Sequence, residues 1–97
     1  MKREKRLVLN AMRMTTREQA HAHLKKRLRL PKWYGGNLDA LSDCLGDVCK
    51  PTHIVVRCMP HLERALGEYG IRLMQVLQKA ATENDNLRLT LRPGFWK

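Results

Sequence analysis

The sequence predicts a small α/β fold, a three-stranded parallel sheet packed by about four helices in the order βααβααβ, on three observations. Three short segments read as strands, and apolar residues at helical spacing fill the stretches between them, an alternation that implies parallel pairing through right-handed crossovers. The middle segment, His53–Cys58, is almost continuously apolar, which suits a parallel strand covered on both faces. With 97 residues the chain has room for one compact core and too little for two. All of it, 1–97, is therefore expected to form one domain, with 1–5 a flexible basic N-terminus and 93–97 a C-terminal tail.

The elements follow in order. Arg6–Asn10 (RLVLN) reads as the first strand. Thr15-Thr16-Arg17-Glu18 offers a capping box, with Thr15 as N-cap and Glu18 three residues on. Ala20, Leu24 and Leu28 then recur at helical spacing as far as Arg29, and Leu30-Pro31 ends that helix because proline cannot continue its hydrogen-bond ladder. Lys32–Asn37 is a loop holding two aromatics, two glycines and an N-cap candidate, Asn37. Leu38–Leu45 forms a short helix that stops near Gly46. Beyond the apolar strand, Pro60 opens another short helix reaching about Gly67. Gly70–Asn84 is a longer helix with Leu73, Val76, Leu77 and Ala80 inward, and Leu87–Leu91 (LRLTL) alternates with period two as the last strand.

The formal net charge of +10 is unevenly distributed. Residues 1–32 carry eleven Lys/Arg and two acids, and residues 50–97 carry eight and four. Between them, residues 33–49 hold Asp39, Asp43 and Asp47 and no base at all, an acidic island in a basic chain. Three cysteines, Cys44, Cys49 and Cys58, are odd in number and lack C-x-x-C spacing, so reduced, mostly buried thiols are expected rather than a disulfide framework or zinc site. The charged start is followed only by Leu7-Val8-Leu9, short of the roughly 7–15 apolar residues of a secretion signal. No stretch approaches the ~18 apolar residues of a membrane span. A cytoplasmic protein with no cofactor or metal is expected.

On a helical wheel at about 100° per residue, Leu38, Leu41, Cys44 and Leu45 share one side. Asp39, Asp43, Gly46 and Asp47 share the other, with Ser42 at its edge. Asp39 has a structural explanation, since an acid in the first turn complements the helix dipole. Asp43 lies beyond that turn and four residues after another Asp, a like-charge spacing that costs about 0.2–0.5 kcal/mol. A local cost with no local return marks the face as one built for recognition. Trp33 and Tyr34, between a proline and two glycines, add aromatic contact area beside it; that one ring, Tyr34 in preference, packs as structural cover stays open.

Leu28–Leu45, LRLPKWYGGNLDALSDCL, closely resembles the signature of the barstar family of bacterial ribonuclease inhibitors. The match is long and ungapped, and the flanking pattern of strands and helices fits over nearly the whole chain. The resemblance implies a three-stranded parallel sheet packed by helices, whose second helix and preceding loop plug the cleft of a ribonuclease. It implies contacts from Trp33, Asn37, Leu38, Asp39, Ser42, Asp43, Gly46 and Asp47, with Asp39 and Asp43 aimed at the cationic phosphate site. A ribonuclease cleft must hold cations for phosphate, so carboxylates can substitute for RNA. The implied partner is a secreted or toxin ribonuclease, barnase-like or another microbial enzyme, bound 1:1 by a protein monomeric when free. Three features depart from the pattern: Ser42 replaces a tryptophan, Lys79 replaces a glutamate that helps bind the enzyme, and the chain is basic where the best-known members are acidic.

An enzyme is not indicated, because His21, His23, His53 and His61 are scattered and no Ser/His/Asp or Cys/His spacing occurs. His21 flanks the apolar stripe of the first helix, the place of a satisfied structural histidine. The alternative function is nucleic-acid binding through the basic clusters Lys2–Arg6 and Lys25–Arg29, which phosphates would accept without any motif.

Overall fold

The computed structural model describes residues 4–94. Strand β1 (Lys5–Asn10) leads through a one-turn 3₁₀ helix (Ala11–Arg13) to α1 (Arg17–Leu28) and α2 (Leu38–Gly46). Strand β2 (Thr52–Arg57) leads through α3 (Pro60–Leu66) and α4 (Glu68–Glu83) to β3 (Leu87–Leu91). The strands lie in the order β1-β2-β3 and both pairings are parallel, so the predicted βααβααβ arrangement holds.

Local chemistry moves several boundaries. β1 begins at Lys5, inside the stretch expected to be flexible, because the Lys5 amide donates to the Pro51 carbonyl at 2.9 Å. The rest of that expectation, at 1–3, and of the expected tail, at 95–97, lies outside the described residues. The N-cap of α1 is Thr16 rather than Thr15; its hydroxyl accepts from the Gln19 amide at 3.1 Å. Arg29 closes α1 in the left-handed conformation (φ 52°), a C-cap geometry usually left to glycine. Cys58 falls outside β2 for a similar reason, since its φ of 58° turns the chain into α3. The 3₁₀ helix has no apolar period to announce it and is held by Asn10, whose side chain accepts from the Met12 amide at 3.0 Å.

In the sheet register, Leu7, Ile54 and Leu89 form one row and Leu9, Val56 and Leu91 another, on the same face. Buried residues from all four helices join that face in a single core: Ala20 and Leu24 of α1, Leu41 and Leu45 of α2, Leu62 of α3, Leu73 and Leu77 of α4. Connectivity explains the one-sidedness. Two crossovers of the same hand, each stepping one strand in the same direction, place both helix pairs on the same side. β2 is buried at its centre on both faces, as expected, but the helices pack on one of them only. Val55 is fully buried but stands outside the helix-side core, on the other face.

Candidate functional site on the second helix

The loop into α2 is shaped by its own residues. The Tyr34 amide donates to the Pro31 carbonyl at 3.0 Å, and Gly36 takes a φ of 68°, open to glycine at little cost. This turn separates the two aromatics: Trp33 is 71% exposed, while Tyr34 is buried. The Tyr34 hydroxyl bonds Nδ1 of buried His21, and the Tyr69 hydroxyl of α4 bonds its Nε2. A neutral imidazole has one donor and one acceptor, so one tyrosine accepts from the ring and the other donates to it. Burial holds the His21 pKa below its ordinary value; burial first, then Tyr69 and Cys44, push the Tyr34 phenol upward. This three-ring bridge ties α1, the loop and α4 together behind α2.

Asn37 caps α2, its side-chain oxygen accepting from the Ala40 amide at 2.7 Å. Leu41, Cys44 and Leu45 are buried and Leu38 half-buried, whereas Asp39, Ser42, Asp43 and Gly46 are exposed, the division expected from the wheel. Asp47 is the C-cap and is also exposed. The far end of α2 is fastened by Asn84, whose amide donates to the carbonyls of Leu45 and Val48, each at 3.0 Å. Carbonyls at a helix end have no partner within the helix, so this side chain supplies one. Among the described residues the three carboxylates of this face enter no salt bridge.

Two hollows flank the helix. A cleft of about 420 Å³ at its start is lined by Asn37, Leu38 and Asp39 together with Arg17, Glu18 and Tyr69. Arg17 lies over the Tyr69 ring, its guanidinium carbon 4.2 Å from the ring centre. A second hollow joins Ser42 and Gly46 to Glu83, Asn84 and Asp85 at the end of α4 and the turn after it. Lys79 is exposed on α4 but does not line that hollow; Glu83, one turn further on, does. Arg17, Tyr69, Glu83 and Asp85 are the neighbours that sequence reading missed. Only Glu83 carried a signal, its position four residues after Lys79 on the same helix.

The family sequence model described as Barstar (barnase inhibitor) matches residues 4–92. The chain belongs to the barstar family. It is also 34% identical over 80 residues, 81% of this chain and 88% of the other, to a Bacillus subtilis (strain 168) protein whose given name is "Putative ribonuclease inhibitor YrdF". The Leu28–Leu45 signature of this barstar-family chain thus spans the end of α1, the aromatic loop and most of α2.

The remaining candidates are scattered. All three thiols are free: Cys44 is buried and Cys58 half-buried, but Cys49 is exposed, which corrects the expectation of mostly buried thiols for that residue. Burial, then Asp47 and Asp43, raises the Cys44 pKa, which disfavours the reactive thiolate. Lys25 and Lys26 are exposed on α1, Arg27 donates to the Val8 carbonyl at 2.9 Å, and Lys2 and Arg3 lie outside the described residues. No described helix is long and apolar enough to cross a membrane.

Proposed function

We propose that this protein inhibits a ribonuclease by laying the outer face of α2 and the loop before it into the enzyme's phosphate-binding cleft, as a cytoplasmic immunity partner of a secreted or toxin enzyme. The observation that carries the reading is the set of exposed carboxylates, Asp39, Asp43 and Asp47, unpaired among the described residues on a helix fastened at both ends. Carboxylates held this way meet cations without first losing bonds of their own, and the capped helix keeps them where RNA phosphates would otherwise sit. Trp33, exposed beside them, supplies apolar contact area, with Asn37 and Leu38 at the helix start completing that side. Ser42 and Gly46 leave room where a larger side chain would project, and Glu83 and Asp85 border that room. Lys79 then belongs at the rim, where it adjusts association rather than anchoring the complex.

An RNA-cleavage assay tests this. A barnase-type ribonuclease and ribonucleases captured from the producing cell's lysate and medium are titrated with the wild-type protein and with Asp43→Ala. Stoichiometric 1:1 inhibition that Asp43→Ala weakens at least tenfold supports the reading; cleavage unaffected by the wild-type protein, or equal inhibition by the variant, overturns it.

A further inference from the structure

The face of the sheet that no described helix covers has its own composition. Its rows, read across β1, β2 and β3, are Arg6–His53–Arg88, then Val8–Val55–Thr90, then Asn10–Arg57. The Arg92 amide donates to the Val56 carbonyl at 2.8 Å and continues the ladder, which sets Arg92 beside Arg57. Parallel sheets almost always have both faces covered by other elements, so a parallel sheet with one face left to arginines is an unusual construction.

The two ends of this face are paired differently. At one end, Glu4 accepts from Arg88 at 2.7 Å. Arg88 also donates to His53 Nδ1 at 3.2 Å, so the His53 proton sits on Nε2, which donates to Thr90 at 2.7 Å. At the other end, Arg57 and Arg92 stand side by side and enter no salt bridge among the described residues. The Nε of each is buried without a hydrogen-bond partner among the described residues. Each Nε is enclosed, so an incoming anion would meet the outer N–H groups of the two forks. Two adjacent guanidiniums with no carboxylate partner among the described residues are complemented by an anion.

We propose that this face binds the phosphate backbone of RNA, with Arg57 and Arg92 as its centre and Arg6 and Arg88 at its other end. The two arginine rows lie four residues apart along the strands, roughly 13 Å at about 3.3 Å per residue, a separation that calls for an extended polyanion rather than a single small ion. A polyphosphate fits better than an acidic protein for a physical reason. Among the described residues the exposed large apolar side chains are Met12, Trp33 and Ile71, and none of them belongs to the rows of this face. No exposed large apolar side chain among the described residues offers a protein partner an anchor here, whereas a phosphate backbone is held by charge and guanidinium forks alone. The surface is separate from the Lys25–Arg29 cluster of α1 and does not depend on the inhibitor reading of α2.

The test is fluorescence anisotropy of labelled oligouridylate with the full chain over a range of salt. Three double variants, each removing two charges, are compared with wild type: Arg57→Gln/Arg92→Gln, Arg6→Gln/Arg88→Gln, and Lys25→Gln/Lys26→Gln. The wild-type protein is expected to bind, with affinity falling steeply as salt rises. The Arg57/Arg92 variant should bind roughly tenfold more weakly, with a salt slope shallower by about 1.4, since each single-strand phosphate contact contributes about 0.7. Should circular dichroism find that variant unfolded, the exposed Arg6/Arg88 pair carries the decision, with the same direction expected. The lysine variant should change little. Absence of binding, equal losses in all three variants, or the larger loss in the lysine variant would overturn the proposal. So would displacement of the RNA by polyglutamate at equal charge concentration, which would make an acidic polypeptide the occupant.

Discussion

Asp43 makes no salt bridge among the described residues and lies on α2 four positions after Asp39, a pair that repels. Removing it should therefore leave the fold unharmed. Asp43→Ala is expected to keep or slightly raise the melting temperature while weakening ribonuclease binding at least tenfold; calorimetry and a binding titration on the same sample check the two halves. His21 behaves in the opposite way. Burial holds its pKa below 6.5, so the unfolded chain binds more protons than the folded one once pH drops through that value. Stability from the neutral ring is fully present above pH 6.5 and is lost as pH falls toward the lower, folded pKa. A protonated ring has two donors, so the tyrosine that had donated to it must turn its O–H away. His23, lowered by burial and then by Arg27, Arg13 and Lys26, adds to the same trend, because its Nε2 must stay unprotonated to accept from the Asn10 amide at 3.0 Å. The melting temperature should fall between pH 7 and pH 5, and His21→Gln should flatten that slope without abolishing it. An unchanged slope would show that the three-ring bridge does not titrate with folding.

Among the elements, α2 is held at its two ends by side chains from different parts of the sequence. Asn84→Ala removes a donor from the Leu45 and Val48 carbonyls, which keep the Val48 amide and the Asn86 side chain as donors, and is expected to cost about 0.5–1.5 kcal/mol, read as a lower denaturant midpoint. If α2 presents the carboxylates, the same variant also weakens ribonuclease binding, although Asn84 is only half-buried and bears no charge. The junction of α3 and α4 depends on Gly70. A β-carbon there would collide with the backbone carbonyl of Leu62, which cannot swing aside as a side chain can. Gly70→Ala, normally favourable in a helix, should instead cost about 1–3 kcal/mol through overpacking. For a domain of this size that is a fall of about 4–8 °C per kcal/mol in a thermal scan.

At the scale of the whole molecule, the folded chain carries the acidic α2 face, bordered by Glu83 and Asp85, on a protein of net charge +10. Steering acts over about a Debye length, ~10 Å at 0.1 M salt. An inhibitor of net charge +10 therefore meets a basic ribonuclease against overall repulsion, with attraction from the α2 face and the acids that border it. For such an enzyme the association rate is expected to rise or stay flat as salt increases, and Lys79→Glu should speed association at low salt. Stopped-flow measurements on both proteins decide it; association slowed by salt, with Lys79→Glu slower still, would place an acidic surface opposite Lys79.

Several features were legible because they depend on neighbours in the chain. Strand and helix order, the Asn37 cap, the Pro60 start and the apolar side of α2 all follow from spacing and local chemistry, which a linear sequence preserves. The division of α2 into buried Leu41, Cys44 and Leu45 against exposed Asp39 and Asp43 was fixed by helical period alone. Features that pair distant residues were not legible. Tyr69 reaches His21 across 48 positions, and Asn84 reaches Leu45 across 39, and nothing in the residues themselves marks the partner. That no described helix covers the other sheet face was missed for a related reason. The run Ile54-Val55-Val56 makes β2 read as apolar throughout, although on the far face only Val55 is apolar, between His53 and Arg57. Whether helices then cover one face or two depends on the direction in which each crossover steps, and only the tertiary structure decides that.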